Sequence, residues 1–249
     1  MSGHSHWAGI KHKKAANDAK RGKIWSKLAR VLIVAAKSGG GDPDQNLTLR
    51  YAIDKAKAAN MPKDTIEKAI KKGTGELGGQ NFEEVLYEGY GTGGIAIMVE
   101  ALTDNRNRTA PDIKRIFEKH GGSLGNSGCV NWMFSKKGLI TVSAETINED
   151  DLMEIALGAG ADDMQEFGDV FEITCDPTAY EALKKALEEK EIATEVAEIS
   201  MVPQNTIAVT DAVTAKKVIS LMESFEDNDD VQNVYANFDI SQELMAELS

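Results

Sequence analysis

The residues best suited to chemistry in this sequence are cations, and they gather near its start. Lys11, His12, Lys13 and Lys14, with Trp7 just upstream, run on into Lys20, Arg21, Lys23, Lys27 and Arg30. Phosphate recognition needs several positive charges on one small surface, and a nearby aromatic ring can stack on an unpaired base. A solvated charged face would have a similar composition, but Asp18 is the only acid among the first 41 residues. The pattern therefore points to nucleic acid. A second polar knot is Thr103-Asp104-Asn105-Arg106-Asn107-Arg108-Thr109. It falls between a predicted strand and a helix start, where anions bind readily and where Arg106 and Arg108 could grip phosphate in bidentate fashion. A loop pinned by its own Asn and Asp side chains fits these residues equally well. The polar run over 121–128 is open in the same way, as loop or contact surface.

Other chemistries find less support. Gly89-Tyr90-Gly91-Thr92-Gly93-Gly94 satisfies GxGxxG, but a β-branched run follows where a dinucleotide site needs a helix, so the glycines read as a hairpin turn. No P-loop motif occurs. Ser2-Gly3-His4 would suit square-planar copper or nickel if Met1 were removed, yet nothing is placed to orient such a ligand, and a cationic tail is the simpler reading. His120 falls in the last turn of a predicted helix, where it would complement the dipole. The carboxylate clusters 149–151, 162–163, 188–189 and 227–230 open a helix, flank turns or lie on helix surfaces, and read as solvated. Cys129 and Cys175 form no CxxC pair and fit buried thiols in a reducing compartment. The sequence calls for no catalytic residues, no cofactor and no metal.

The elements that carry the cations follow from charge and periodicity. The 249 residues hold 28 Lys and Arg against 40 Asp and Glu, a net charge of −12. Up to Glu76 the balance is +9, and beyond it −21, so a basic module precedes an acidic body. Trp25, Leu28, Ala29, Leu32, Ile33 and Ala36 fall on one stripe of a helix, with Lys20, Lys23, Lys27, Arg30 and Lys37 opposite. Further helices are predicted over 46–59 and 63–72, which completes a helical bundle. Four glycines over 73–79 then read as a flexible linker. Strands are predicted over 85–90 and 95–100, a helix over 109–120 capped by Thr109, and a strand over 130–134. The order over 139–201 is β-α-β-β-α-β, the ferredoxin-like sequence of elements. A strand, helix and strand follow over 206–209, 212–225 and 231–238. The fold class is thus α+β. A basic helical domain (1–76) precedes two ferredoxin-like α/β domains, one inserted in the other: an outer domain (80–134 plus 203–249) and an inserted one (135–202). No apolar run approaches the roughly 20 residues that span a bilayer, and no leader is apparent, so a cytoplasmic protein without membrane attachment is expected.

Several of these segments resemble the YebC family: Gly3-His4-Ser5-His6-Trp7 running into Ile10-Lys11-His12-Lys13-Lys14, Asn60-Met61-Pro62-Lys63-Asp64-Thr65-Ile66, Tyr87-Glu88-Gly89-Tyr90-Gly91, the knot over 103–109, and Asp230-Val231-Gln232-Asn233-Val234-Tyr235. His6 stands where a Lys is usual. The resemblance implies a three-domain cytoplasmic protein, helical at its N-terminus and α/β thereafter, with no catalytic residues. It also implies one of two roles: transcriptional regulation through DNA, as bacterial members are commonly described, or translation on the ribosome through RNA. Relatives linked to the second include the mitochondrial translational activator of cytochrome c oxidase subunit I and bacterial members that relieve stalling at proline-rich stretches. The residues themselves favour phosphate binding over base readout, because the predicted helices offer Lys and Arg but few Asn or Gln. A small-molecule enzyme would need a pocket of convergent polar groups that nothing here indicates. The expected partner is DNA or RNA, with the ribosome as a possible assembly, and no small-molecule substrate.

Overall fold

In the computed structural model, residues 18–78 and 81–241 are described, together with 244, 245 and 247. Three helices come first: α1 (Asp18–Gly39), α2 (Leu47–Ala58) and α3 (Lys63–Gly73). Leu32, Ile33 and Ala36 of the predicted stripe are buried against Leu49, Ala52 and Ala56 of α2 and Ile66 and Ala69 of α3, with Trp25, Leu28 and Ala29 packed at the margin. Asn46 caps α2 by accepting from the Leu49 amide at 3.1 Å, and its own amide donates to the Ala35 and Gly40 carbonyls. One side chain thus starts the second helix and ties it to the end of the first. Gly73 closes α3 against α1, where a Cβ would lie 2.5 Å from the Ile33 carbonyl oxygen. The first glycine of the expected linker is therefore a packing contact, not a hinge.

Beyond the bundle the chain runs through β1 (Glu83–Tyr90), β2 (Ala96–Thr103), α4 (Arg106–Lys119) and β3 (Ser123–Leu124). It continues through β4 (Phe134–Ser143), α5 (Glu149–Gly158), β5 (Ala161–Phe167), β6 (Val170–Cys175), α6 (Tyr180–Glu189) and β7 (Thr194–Pro203). Last come β8 (Ile207–Val209), α7 (Ala212–Glu226), β9 (Val231–Ala236) and β10 (Phe238–Ile240). The glycine motif turns the β1–β2 hairpin, as its β-branched continuation requires: Thr92–Gly94 form a short 3-10 turn, with Gly93 and Gly94 at φ 80° and 76°.

Strands β4 to β7 form one antiparallel sheet in the order β5-β6-β4-β7. Leu152 and Ala156 of α5 and Leu183 and Leu187 of α6 bury against Ile140, Val142, Phe171 and Ile173 on one face of it. This is the β-α-β-β-α-β unit read from the sequence. The other four-stranded sheet, β3-β1-β2-β9, departs from expectation. Residues 130–134 do not form its second strand: Asn131–Met133 make a 3-10 turn and Phe134 already belongs to β4. Ser123–Leu124 takes that place instead. Nor does 206–209 enter the sheet, since β8 pairs in parallel with β10. The slot beside β2 is filled by β1, whose position the sequence order left unassigned. Short apolar runs carry too little periodicity to fix their partners.

Helices α4 and α7 cover the inner face of this sheet. Ile113 and Phe117 meet Val218, Leu221 and Phe225 in a core that shares Ile97, Val99 and Val231. Phe117 and Phe225 sit edge to face, their centroids 4.8 Å apart, and both are fully buried. Replacing Phe117 with Ala should cost about 3 to 5 kcal/mol of stability in urea denaturation. A loss below about 1 kcal/mol would mean that α4 does not key this core.

Candidate nucleic-acid interface

Trp7, Lys11, His12, Lys13 and Lys14 lie outside the described residues, and Lys20 and Arg21 enter only as backbone in the first turn of α1. The next three cations of the predicted face have found partners within the chain. Lys23 donates to the Asp227 carbonyl at 3.0 Å and pairs with its carboxylate at 3.3 Å. Lys27 donates to the Glu226 carbonyl at 2.6 Å. Arg30 donates to the Asp229 carbonyl and to Asp230 Oδ1, the latter at 3.0 Å, while its guanidinium lies over the Phe82 ring. Spaced along one side of α1, these charges meet the C-terminal end of α7, where unpaired carbonyls carry partial negative charge. This stretch of α1 is therefore not the open basic face that its composition suggests.

Asp230 is the centre of this contact. Its side chain is only 9% exposed, and its second oxygen accepts from Arg108 at 2.8 Å and from the Thr109 hydroxyl at 2.7 Å. Burial alone would push its carboxyl up. The hydrogen bonds from Arg108 and Thr109 and the charges of Arg108 and Arg30 outweigh that and hold it below the ordinary carboxylate range. Arg108 also pairs with Asp104 at 2.9 Å, and its guanidinium is correspondingly harder to deprotonate, first through Asp230 and then through Asp104.

The knot over 103–109 is thus largely pinned by its own chain. Asn105, rather than Thr109, caps α4 by accepting from the Arg108 amide at 3.2 Å, so Arg106 and Arg108 lie in the helix's first turn. Thr109 is buried and spends its hydroxyl on Asp230 and Thr103. Arg106 reaches outward, 3.8 Å from Glu83, with its side chain 63% exposed.

The sequence also misleads at two other polar groups. Asp227, Asp229 and Asp230 read as solvated surface, yet they receive α1. His120 caps α4 and shares a 2.9 Å hydrogen bond with Ser224 of α7, which ties the two helices together, and burial and then the Lys119 charge push its pKa down. Glu88 gave no signal beyond its place in a strand. It is 3% exposed and accepts from the backbone amides of Gly128, Val130 and Asn131 at 2.6, 2.8 and 2.7 Å. Burial would raise its pKa, but these three donors lower it.

The outer side of α3 is open and cationic. Lys68, Lys71 and Lys72 are exposed and share one face at the helical pitch, with Lys63 exposed at the opposite end. Among the described residues no group of His, Cys, Asp and Glu could hold a metal ion, and no helix is long and apolar enough to cross a membrane.

Comparison with known proteins places this geometry. Residues 5–76 match the model of the TACO1/YebC protein N-terminal domain, and residues 82–238 that of the TACO1/YebC second and third domain. A protein of Desulfotalea psychrophila named "Probable transcriptional regulatory protein" is 55% identical over 249 residues, covering all of both chains. One of Geobacter sulfurreducens with the same description is 54% identical over 248 residues, again covering both chains completely. The crystal structure of a conserved hypothetical protein from Aquifex aeolicus superposes with a TM-score of 0.84 at 51% identity, covering 95% of this chain and 98% of that one.

Replacing Asp230 with Ala should lower stability by about 2 to 4 kcal/mol at pH 7, because it strands Arg30 and Thr109 beside a buried gap. The carboxyl titrates lower in the folded than in the unfolded chain. Its stabilisation is therefore complete above the unfolded value of about 3.9 and is lost as pH falls through the folded value. Urea denaturation between pH 7 and 3 should show the difference between parent and variant narrowing below about pH 4. A difference that widened on acidification would contradict this linkage.

Proposed function

We propose, from the premise that the chain belongs to the TACO1/YebC family, that it is a non-enzymatic regulator of gene expression that acts by binding nucleic acid, in the first instance DNA as a transcriptional regulator. The carrying observation is the segregation of charge: a +9 segment, whose described part turns the lysines of α3 outward, before an acidic body. The names of the full-length relatives point the same way. Phosphate contacts are assigned to Lys68, Lys71 and Lys72 together with Lys11, His12, Lys13, Lys14, Lys20 and Arg21, with Trp7 stacking on an unpaired base and Arg106 as an outlying contact. Lys23, Lys27 and Arg30 hold the bundle on the body, and Arg108 holds Asp230 within it, so a phosphate at any of them would have to compete with an internal partner.

One observation favours a second reading, a ribosome-associated translation factor that binds RNA. Base readout in a DNA groove relies on Asn, Gln and Arg presented by a helix. The described spans of α1, α2 and α3 contain no Asn or Gln. Lysines that track phosphate without reading bases suit structured RNA as well as duplex DNA.

Gel shifts on promoter duplexes and on structured RNA, run beside co-sedimentation with ribosomes across a salt series, separate the two. Preference for a promoter over a scrambled duplex supports the first reading. Ribosome association absent at low salt sinks the second, and no affinity for any nucleic acid at about 50 mM salt sinks both. Replacing Lys68, Lys71 and Lys72 together with Ala should weaken binding on every nucleic acid and flatten the slope of log K against log salt by roughly 2 to 3 units. An unchanged slope would remove α3 from the interface.

A further inference from the structure

The connection between β3 and β4 carries Trp132, 67% exposed although it is among the largest apolar side chains in the protein. The neighbours on either side are anchored. Val130 and Phe134 are buried under the outer sheet with Ala96, Met98 and Tyr235, and Met133 packs against them. The loop backbone is fastened to the Glu88 carboxylate by three amides, and the Trp132 indole N–H donates to the Cys129 carbonyl at 3.1 Å. The Cys129 carbonyl also accepts from the Tyr90 hydroxyl at 3.0 Å. The indole is therefore held from below with its polar atom satisfied, and what it offers outward is a π-face on a rigid mount.

The charge around it is unlike the rest of the body. Beyond Glu76 the chain carries 33 acids against 12 bases, yet residues 119–144 contain no Asp or Glu and include Lys119, Lys136 and Lys137. Asn126, Ser127, Asn131 and Lys136 are exposed in the same stretch, while Lys137 is tied to Asp162. The one acid the loop encloses, Glu88, is buried and spent on backbone donors.

We propose that Trp132 is a stacking platform for an unpaired nucleobase of RNA, with Lys136 and the loop asparagines beside it on the sugar-phosphate chain. A polyanion is favoured here because this segment brings lysines and no acid of its own to the surface around the ring. Stacking on an aromatic face is tolerant of base identity and requires an unpaired base. This assignment rests on the nucleic-acid reading above and adds a second contact, remote in sequence from the basic module.

The test uses the full chain with two probes: an RNA hairpin bearing an unpaired loop, and a fully paired RNA duplex of the same length. Trp132→Ala should weaken hairpin binding by about 5- to 100-fold, leave the duplex unaffected and leave the salt slope unchanged, since no cation is removed. Trp132→Phe should restore most of the loss. In a Trp7→Phe, Trp25→Phe chain, the fluorescence of the remaining Trp132 should be quenched by the hairpin and not by the duplex. Unchanged hairpin affinity in the Ala variant, or equal losses on hairpin and duplex, overturns the platform while leaving the basic-module reading intact. A parent chain that binds neither RNA nor DNA overturns both.

Discussion

A buried carboxylate is expensive unless every oxygen is answered, and the answer to Asp230 organises the molecule. One oxygen takes Arg30 from α1; the other takes Arg108 and Thr109 from α4. The same residue's carbonyl accepts from the Leu102 amide at 2.8 Å, at the point where β9 joins β2. A single residue thus sets how the bundle sits, where α4 begins and how the last strand of the outer sheet enters. Lys23 and Lys27 extend the contact onto the α7 terminus, so the helix end and the carboxylate are satisfied by one row of cations.

The inserted sheet is attached by a comparable economy. Its first strand starts at Phe134 and its last ends at Pro203, and these two residues are paired in register. The Gln204 amide then donates to the Met133 carbonyl at 2.8 Å. Entry and exit therefore lie side by side, which lets a four-stranded unit interrupt another without stretching it. The entry is the loop that Glu88 grips, and Met201 of β7 packs on the outer sheet beside Tyr235. Lys55 of α2 reaches Glu198 of β7 at 3.1 Å, so the bundle touches the insertion as well as the outer sheet.

Periodicity made the bundle and the inserted sheet legible. The stripe from Trp25 to Ala36 is long enough for its period to be unambiguous, and the alternation over 139–201 comes with helices of ten residues to punctuate it. The outer sheet was harder because its strands are separated in sequence by the insertion and two of its candidates are very short. Val130 and Phe134 look like a strand because both are buried, but they cap the sheet from beneath while the residues between them turn. The cations were legible as cations, and their partners were not. Composition records that Lys23, Lys27 and Arg30 are cations without recording that their partners lie about 200 residues on, at Glu226 to Asp230. Such pairing has no local period, so no window of sequence contains it.

The contacts between bundle and body are unequal, and the inequality bears on function. Lys23 and Asp227 are 47% and 74% exposed, a pair that water and salt reduce to at most about 1 kcal/mol. Arg30 and Asp230 are 21% and 9% exposed, and breaking their pair takes one of two cations from a buried carboxylate that Arg108 still holds. The orientation of the bundle therefore depends on the arginine and hardly at all on the outermost lysine. A polyanion arriving along α1 from its basic start would meet the weak contact first, and Lys23 could turn to phosphate without releasing the bundle. The acidic body, which by net charge should repel nucleic acid, thus serves mainly to hold a cationic module at a fixed angle. The charge separation that suggests binding is also what joins the cationic bundle to the acidic body.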